Sequence, residues 1–111
     1  MAKVQLDELT ALIDRVVLNK TTLDSITCKH FFNGAAAYIE SHIFMTLTTV
    51  GLAVKLPEHD RTQLIALGAK PLRYFPKAPI KKDYVILPGS VIEDEVMLAS
   101  WVEASIKFSR L

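Results

Sequence analysis

The fold is decided by residues 25–56, which read SITCKHFFNGAAAYIESHIFMTLTTVGLAVKL. Apolar residues occupy alternate positions near both ends of this stretch, in 26–32 and 43–56, and β-branched residues are frequent there. A period of two with β-branched side chains is typical of strands. Residues 40–42 and 49–51 have turn character. The stretch therefore predicts three consecutive strands in an antiparallel meander.

The flanking segments show a helical period instead. Apolar residues recur at steps of three and four in 6–16 and in 98–108, which predicts an amphipathic helix near each end of the chain. Ser90 and Glu93 match the S-x-x-E capping box, which places the start of the last helix at Ser90. The sequence thus predicts helices on either side of the strands.

Three shorter elements complete the prediction. Residues 57–67 predict a short helix, with Pro57 at its first position and Gly68 just past its end. Residues 72–74 and 84–87 predict two further strands. The predicted class is α+β, an antiparallel sheet flanked by helices in the order α-β-β-β-α-β-β-α.

Composition favours one globular domain over residues 1–111. Half of the 111 residues are apolar, and the formal net charge is +1. Such a charge predicts no strong long-range attraction to nucleic acid or acidic membranes, although it leaves room for a local patch. A single cysteine excludes an internal disulfide. With no apolar run long enough for a signal peptide or a membrane span, we expect a cytoplasmic protein.

Five short motifs along the chain carry a family resemblance. They are Lys29-His30-Phe31-Phe32-Asn33-Gly34-Ala35-Ala36-Ala37-Tyr38, Leu52-Ala53-Val54-Lys55, Leu67-Gly68-Ala69-Lys70-Pro71-Leu72, Tyr84-Val85-Ile86-Leu87-Pro88 and Trp101. In this order they resemble the N-terminal domain of the TfoX/Sxy competence regulators. Phe31 replaces the methionine of the family signature, and Asn33 replaces the first glycine of its glycine pair.

The resemblance implies a secretion-chaperone-like fold that often dimerises, and a bacterial regulatory context. It also implies one long strand with a kink at Asn33-Gly34, whereas the residues alone equally predict a two-residue hairpin turn there. The family's further C-terminal domain has no counterpart in this chain. The resemblance supplies no catalytic residue and no cofactor.

Cysteine and histidine give weak candidates for chemistry. Cys28 and His30 share a strand face, but a metal site needs three or four ligands, so we expect none. Cys28 beside a histidine could form a nucleophile pair. A buried apolar cysteine that packs in the core is the favoured interpretation, because burial makes a thiol unreactive.

Three surfaces are candidates for binding. A small ligand or anion could bind beside Lys29, Asn33, Gly34, Tyr38 and Lys55. Nucleic acid could bind the basic stretch that contains Lys70, Arg73, Lys77, Lys81 and Lys82, with Tyr74 and Phe75 stacking on bases. Phe31, Phe44 and Phe75 could form an exposed apolar patch on the sheet that holds a homodimer together.

These candidates give three hypotheses for function. The first is a non-enzymatic regulatory or interaction module, a homodimer that contacts a protein partner in transcriptional regulation. The second is a nucleic-acid-associated regulator that uses residues 70–82. The third is a small-ligand binder or enzyme centred on residues 29–38. No hypothesis involves a membrane partner.

Overall fold

The computed structural model describes residues 2–32 and 34–111, so the prediction for Asn33 lies outside the described residues. The elements follow one another in this order: α1 Ala2–Val16, α2 Lys20–Asp24, β1 Ile26–Phe31, β2 Gly34–Ile39, β3 His42–Thr48, β4 Gly51–Lys55, α3 Glu58–Ala66, β5 Lys70–Pro71, β6 Tyr84–Ile86, α4 Gly89–Ile92 and α5 Glu95–Ser109. The predicted α+β class and the arrangement of helix, strands and helix are confirmed.

The sheet has six strands in the order β1-β2-β3-β4-β6-β5, and every pairing is antiparallel. Strands β1 to β4 form a meander of consecutive hairpins. Ile39 pairs with His42, and the two residues between them, Glu40 and Ser41, have φ values of 50° and 76°. Positive φ at both central residues is what a tight hairpin of matching twist requires. The predicted turn at 40–42 is thereby confirmed.

The first two strands form a hairpin that the family resemblance did not imply. Phe31 pairs with Gly34, so the chain reverses between them and the meander has four strands instead of three. The single long strand with a kink is therefore wrong. The alternative, a hairpin turn at Asn33-Gly34, is correct in kind. The turn comes one residue earlier than predicted, because Gly34 already pairs with Phe31.

A β-bulge in β3 changes which residues reach the core. Ala37 pairs with Met45 and Tyr38 pairs with Ile43, which leaves Phe44 as the extra residue. A bulge interrupts the alternation of side chains, so Phe44 and Met45 both enter the main core and both are fully buried. The prediction that Phe44 belongs to an exposed patch is wrong.

All the long helices pack on one face of the sheet. The main core joins Leu9 and Ile13 of α1, Leu64 of α3 and Leu98 and Val102 of α5 to the meander. Helix α5 is fixed to the bulge by the buried Ser105 hydroxyl, which donates a 2.8 Å hydrogen bond to the Phe44 carbonyl. The ion pair between Arg15 and Glu95, at 2.6 Å, connects α1 to α5.

The predicted start of the last helix is displaced. Residues 89–92 form the separate short helix α4, and Glu93 is its C-cap. Helix α5 begins after Asp94, whose carboxylate accepts a 3.1 Å hydrogen bond from the Met97 amide. Asp94 is thus the true N-cap, and the capping-box interpretation of Ser90 and Glu93 is wrong.

The short helix after the meander is close to its prediction. Pro57 is the N-cap of α3 and not its first helical residue, since its φ and ψ are extended. Gly68 lies just past the end with a φ of 109°, as expected of a residue that closes a helix. Among the described residues, no helix is long and apolar enough to cross a membrane.

Candidate binding surface

The face of the sheet opposite the helices is here called the helix-free face. Lys29 follows Cys28 in β1, and Lys55 follows Val54 in β4. Cys28 and Val54 both contact the main core. Because successive strand residues point to opposite faces, Lys29 and Lys55 lie on the helix-free face. Tyr38 lies there for the same reason, and the Lys29 Nζ is 5.5 Å from the centre of its ring.

The segment 72–83 covers part of the helix-free face. Leu72 packs with Ala53 and Tyr84 in a second, smaller core, and Tyr74 and Ile86 border it. Two hydrogen bonds close the segment into a compact loop: the Lys81 amide donates to the Leu72 carbonyl, and the Arg73 guanidinium donates to the Ala78 carbonyl at 2.7 Å. The sequence predicted a strand at residues 72–74. This prediction is wrong, because β5 ends at Pro71 and both Leu72 and Tyr74 lie in the loop.

An aromatic cluster connects this loop to the β1–β2 hairpin. The ring centres of Phe31 and Phe32 are 4.6 Å apart in an edge-to-face arrangement. Tyr74 lies 6.0 Å from Phe31 and 5.8 Å from Phe32. These are favourable separations for aromatic pairs. The cluster therefore joins two segments that are about forty residues apart in the sequence.

Phe32 stands at the tip of the hairpin in an unfavourable conformation. Its φ is 50°, a region that large side chains rarely adopt, and 79% of its surface is exposed. Strain of this kind is concentrated at functional sites. The ring does not contribute to the main core, and its aromatic contacts are with Phe31 and Tyr74.

Charge is distributed unequally between the two sides of the sheet. Ten of the twelve acidic residues lie in helices or at their caps, and the strands contain no Asp or Glu. The other two, Glu40 and Asp83, form ion pairs with Arg110 and Arg61. The segment 70–82 has five basic residues and no acidic one. The helix-free side is therefore a local basic region on a nearly neutral molecule.

Combining these features defines the basic–aromatic surface, which consists of Lys29, Phe31, Phe32, Arg73, Tyr74, Phe75 and Lys77. Phe75 is 61% exposed, and Lys29, Arg73 and Lys77 are exposed. Tyr74 is half-buried and contacts both Phe31 and Phe32. Burial raises the pKa of Tyr74, and the neighbouring Thr46 hydroxyl partly offsets that rise. Tyr74 is thus a neutral, packed support for the exposed rings.

The residues predicted for nucleic-acid binding are divided by the structure. Arg73 and Lys77 belong to the basic–aromatic surface, and Lys70, which pairs with Ile86, lies on the same side of the sheet. Lys81 and Lys82 instead line a cavity of about 210 Å³ next to α3, together with Arg61 and Ile65. Lys81 and Lys82 are therefore not part of the basic–aromatic surface.

The residues predicted for a small ligand do not all converge. The Lys29 ammonium group lies over the Tyr38 ring. Lys55 lies in β4, two strands away from the β2 strand of Tyr38, and it pairs with Tyr84. Gly34 lies four residues from Tyr38 along β2, about 13 Å at strand geometry. A Cβ on Gly34 would meet the Leu47 carbonyl, so backbone already fills the space beside it. A binding role for Lys29, Gly34, Tyr38 and Lys55 stays a prediction.

Cys28 is half-buried and packs against the main core, so it is less buried than the favoured interpretation expected. It borders a cavity of about 340 Å³ between α1, α2 and β1, where burial raises the pKa of its thiol and the Asp14 carboxylate adds to the effect. A raised pKa lowers the thiolate fraction and with it the nucleophilicity. Within residues 2–32 and 34–111, no three His, Cys, Asp or Glu side chains are grouped to hold a metal.

The three tyrosines of the chain share the helix-free face. Tyr84 is buried, and this burial, with the nearby Tyr74 and Tyr38 and the Asp83 carboxylate, strongly raises its pKa. The ionised form is therefore strongly disfavoured in the folded state. Tyr84 thus acts as a packed side chain beneath the loop 72–83 rather than as an acid or base.

The comparisons with known proteins agree with the motifs. The family model of the TfoX N-terminal domain matches residues 19–109 of the 111-residue chain. The match covers the complete sheet and the whole of α5, and it leaves out α1. A search of curated proteins found no match. The chain therefore belongs to the TfoX N-terminal domain family.

Proposed function

We propose that this domain is a non-enzymatic interaction module of a regulatory system, and that the basic–aromatic surface binds an acidic partner. The observation that carries the proposal is the aromatic cluster of Phe31, Phe32 and Tyr74 on the helix-free face, together with the exposed cations Lys29, Arg73 and Lys77 of the same strand and the same loop. Large exposed aromatic groups beside cations are a common composition for recognition surfaces.

The charge of the surface opposes self-association through it. In a symmetric dimer through this surface, each copy would present Lys29, Arg73 and Lys77 to a surface that has the same cations and no acidic residue to pair with them. Like charges in contact cost several kcal/mol at an interface. An acidic partner removes this repulsion. A homodimer through another surface stays a separate proposal, which light scattering at several concentrations tests.

Heparin affinity tests whether the helix-free side is the polyanion-binding side. The double variant Lys29→Glu/Lys77→Glu should elute at a clearly lower salt concentration than the unmodified protein, because it removes two cations from the surface. The control is Lys20→Glu/Lys107→Glu, which has the same net charge but changes the exposed lysines of α2 and α5. The control should elute close to the unmodified protein. Equal losses in both variants would refute a localised binding surface.

A further inference from the structure

We infer that the partner bound by the basic–aromatic surface is single-stranded nucleic acid, with bases that stack on Phe32 and Phe75 and phosphates that contact Lys29, Arg73 and Lys77. This inference rests on the proposed function and names the class of its partner. Sequence alone placed Tyr74 and Phe75 in a basic stretch. The fold adds Phe31 and Phe32 from a distant hairpin, and both rings contact Tyr74, the neighbour of Phe75 in the chain.

The aromatic groups favour nucleic acid over an acidic protein. Base stacking requires exposed ring faces, and Phe32 and Phe75 are 79% and 61% exposed. The hairpin holds Phe32 at its tip with a positive φ. The half-buried Phe31 and Tyr74 contact the Phe32 ring, which stays largely exposed.

The position of the helices favours a single strand over a duplex. Sequence-specific duplex binders commonly insert a helix into the major groove, and here the long helices pack on the opposite face of the sheet. Aromatic rings stack on bases only where these are already unstacked from their neighbours. A sheet that presents aromatic side chains between cations meets these two requirements of single-strand recognition.

Fluorescence anisotropy with a labelled oligothymidylate of about 12 nucleotides tests the inference, at a length within the usual site size of small single-strand binders. The full chain should bind at low salt, and log Kobs against log salt should fall with a slope of about −2 for three neutralised phosphates. Phe32→Ala and Phe75→Ala should each weaken binding about 5- to 100-fold. Leu18→Ala, which removes an exposed side chain on the helical side, should leave binding unchanged.

Two further probes separate this inference from the proposed function. A duplex of the same length should bind more weakly than the single strand, and polyglutamate should bind in a way that does not depend on Phe32. No oligothymidylate binding, together with heparin retention that still requires Lys29 and Lys77, would overturn the inference and leave the proposed function standing. If the protein binds no oligothymidylate and its heparin retention does not require Lys29 and Lys77, both the inference and the proposed function are overturned. Unchanged oligothymidylate binding in Phe32→Ala and Phe75→Ala, with wild-type melting, would also overturn the inference.

Discussion

Gly34→Val is expected to prevent the domain from folding stably, at a cost of about 3 kcal/mol or more. A Cβ at this position would overlap the Leu47 carbonyl oxygen and lie 2.9 Å from the Thr48 Cα. Both neighbours are backbone atoms of β3, so no side-chain rotation relieves the overlap. The start of β2 would have to separate from β3. Thermal or urea unfolding followed by circular dichroism measures the effect.

The matched control is Gly89→Val at the first position of α4. A Cβ on Gly89 meets no atom within 4 Å, so this variant should stay within about 1 kcal/mol of the unmodified protein. Similar melting of Gly34→Val and the unmodified protein would contradict the close approach of β2 to β3. The expected loss comes from this close approach of the two backbones.

Phe44→Ala is expected to destabilise the domain by about 3–5 kcal/mol without changing its oligomeric state. Phe44 is fully buried beneath α5, so its truncation opens a cavity in the main core. Its backbone carbonyl would keep the hydrogen bond from Ser105. Chemical unfolding with linear extrapolation measures the loss of free energy.

Phe75→Ala makes the same chemical change at an exposed position and serves as the control. With 61% of its surface exposed, Phe75 should contribute less than about 1 kcal/mol to stability. Equal stability of the two variants would contradict the burial of Phe44. Dissociation of a dimer by Phe44→Ala with unchanged stability would support the original sequence interpretation instead.

The sequence predicted elements that local physics determines. The three- and four-residue steps from Leu6 to Val16 predicted α1, although that helix begins at Ala2. The turn at Glu40 and Ser41 was recognisable because the flanking segments alternate. Gly68 marked the end of α3 because few other residues adopt its conformation. In each case a short window contains the information.

Features that depend on contacts between distant segments were missed. The bulge at Phe44 is stabilised by Ser105, sixty-one positions later in the chain, so strict alternation placed Phe44 on the wrong face. A hairpin turn at Asn33-Gly34 was one of two alternatives, but no local signal placed it one residue earlier, where Phe31 pairs with Gly34. The capping box at Ser90 failed because Asp94 caps the longer helix.

The candidate surface was recognised only in part for the same reason. The basic stretch 70–82 and its two aromatic residues are visible in the sequence. The contact of Tyr74 with Phe31 and Phe32 is not visible, because it requires the loop to lie across the sheet. The single local signal is the adjacent pair Phe31 and Phe32 at the end of the predicted first strand, and such a pair is equally typical of a core segment.

Amide chemical-shift mapping during titration with oligothymidylate tests the central claim most directly. The proposed surface predicts that perturbed amides cluster in residues 27–32 and 72–78, while those of α1 and α5 stay unchanged. The Trp101 indole, on α5, gives an internal reference on the opposite side of the sheet. Perturbations centred on α5 and the 16–22 segment, with residues 27–32 unaffected, would contradict the claim that the helix-free side is the binding side.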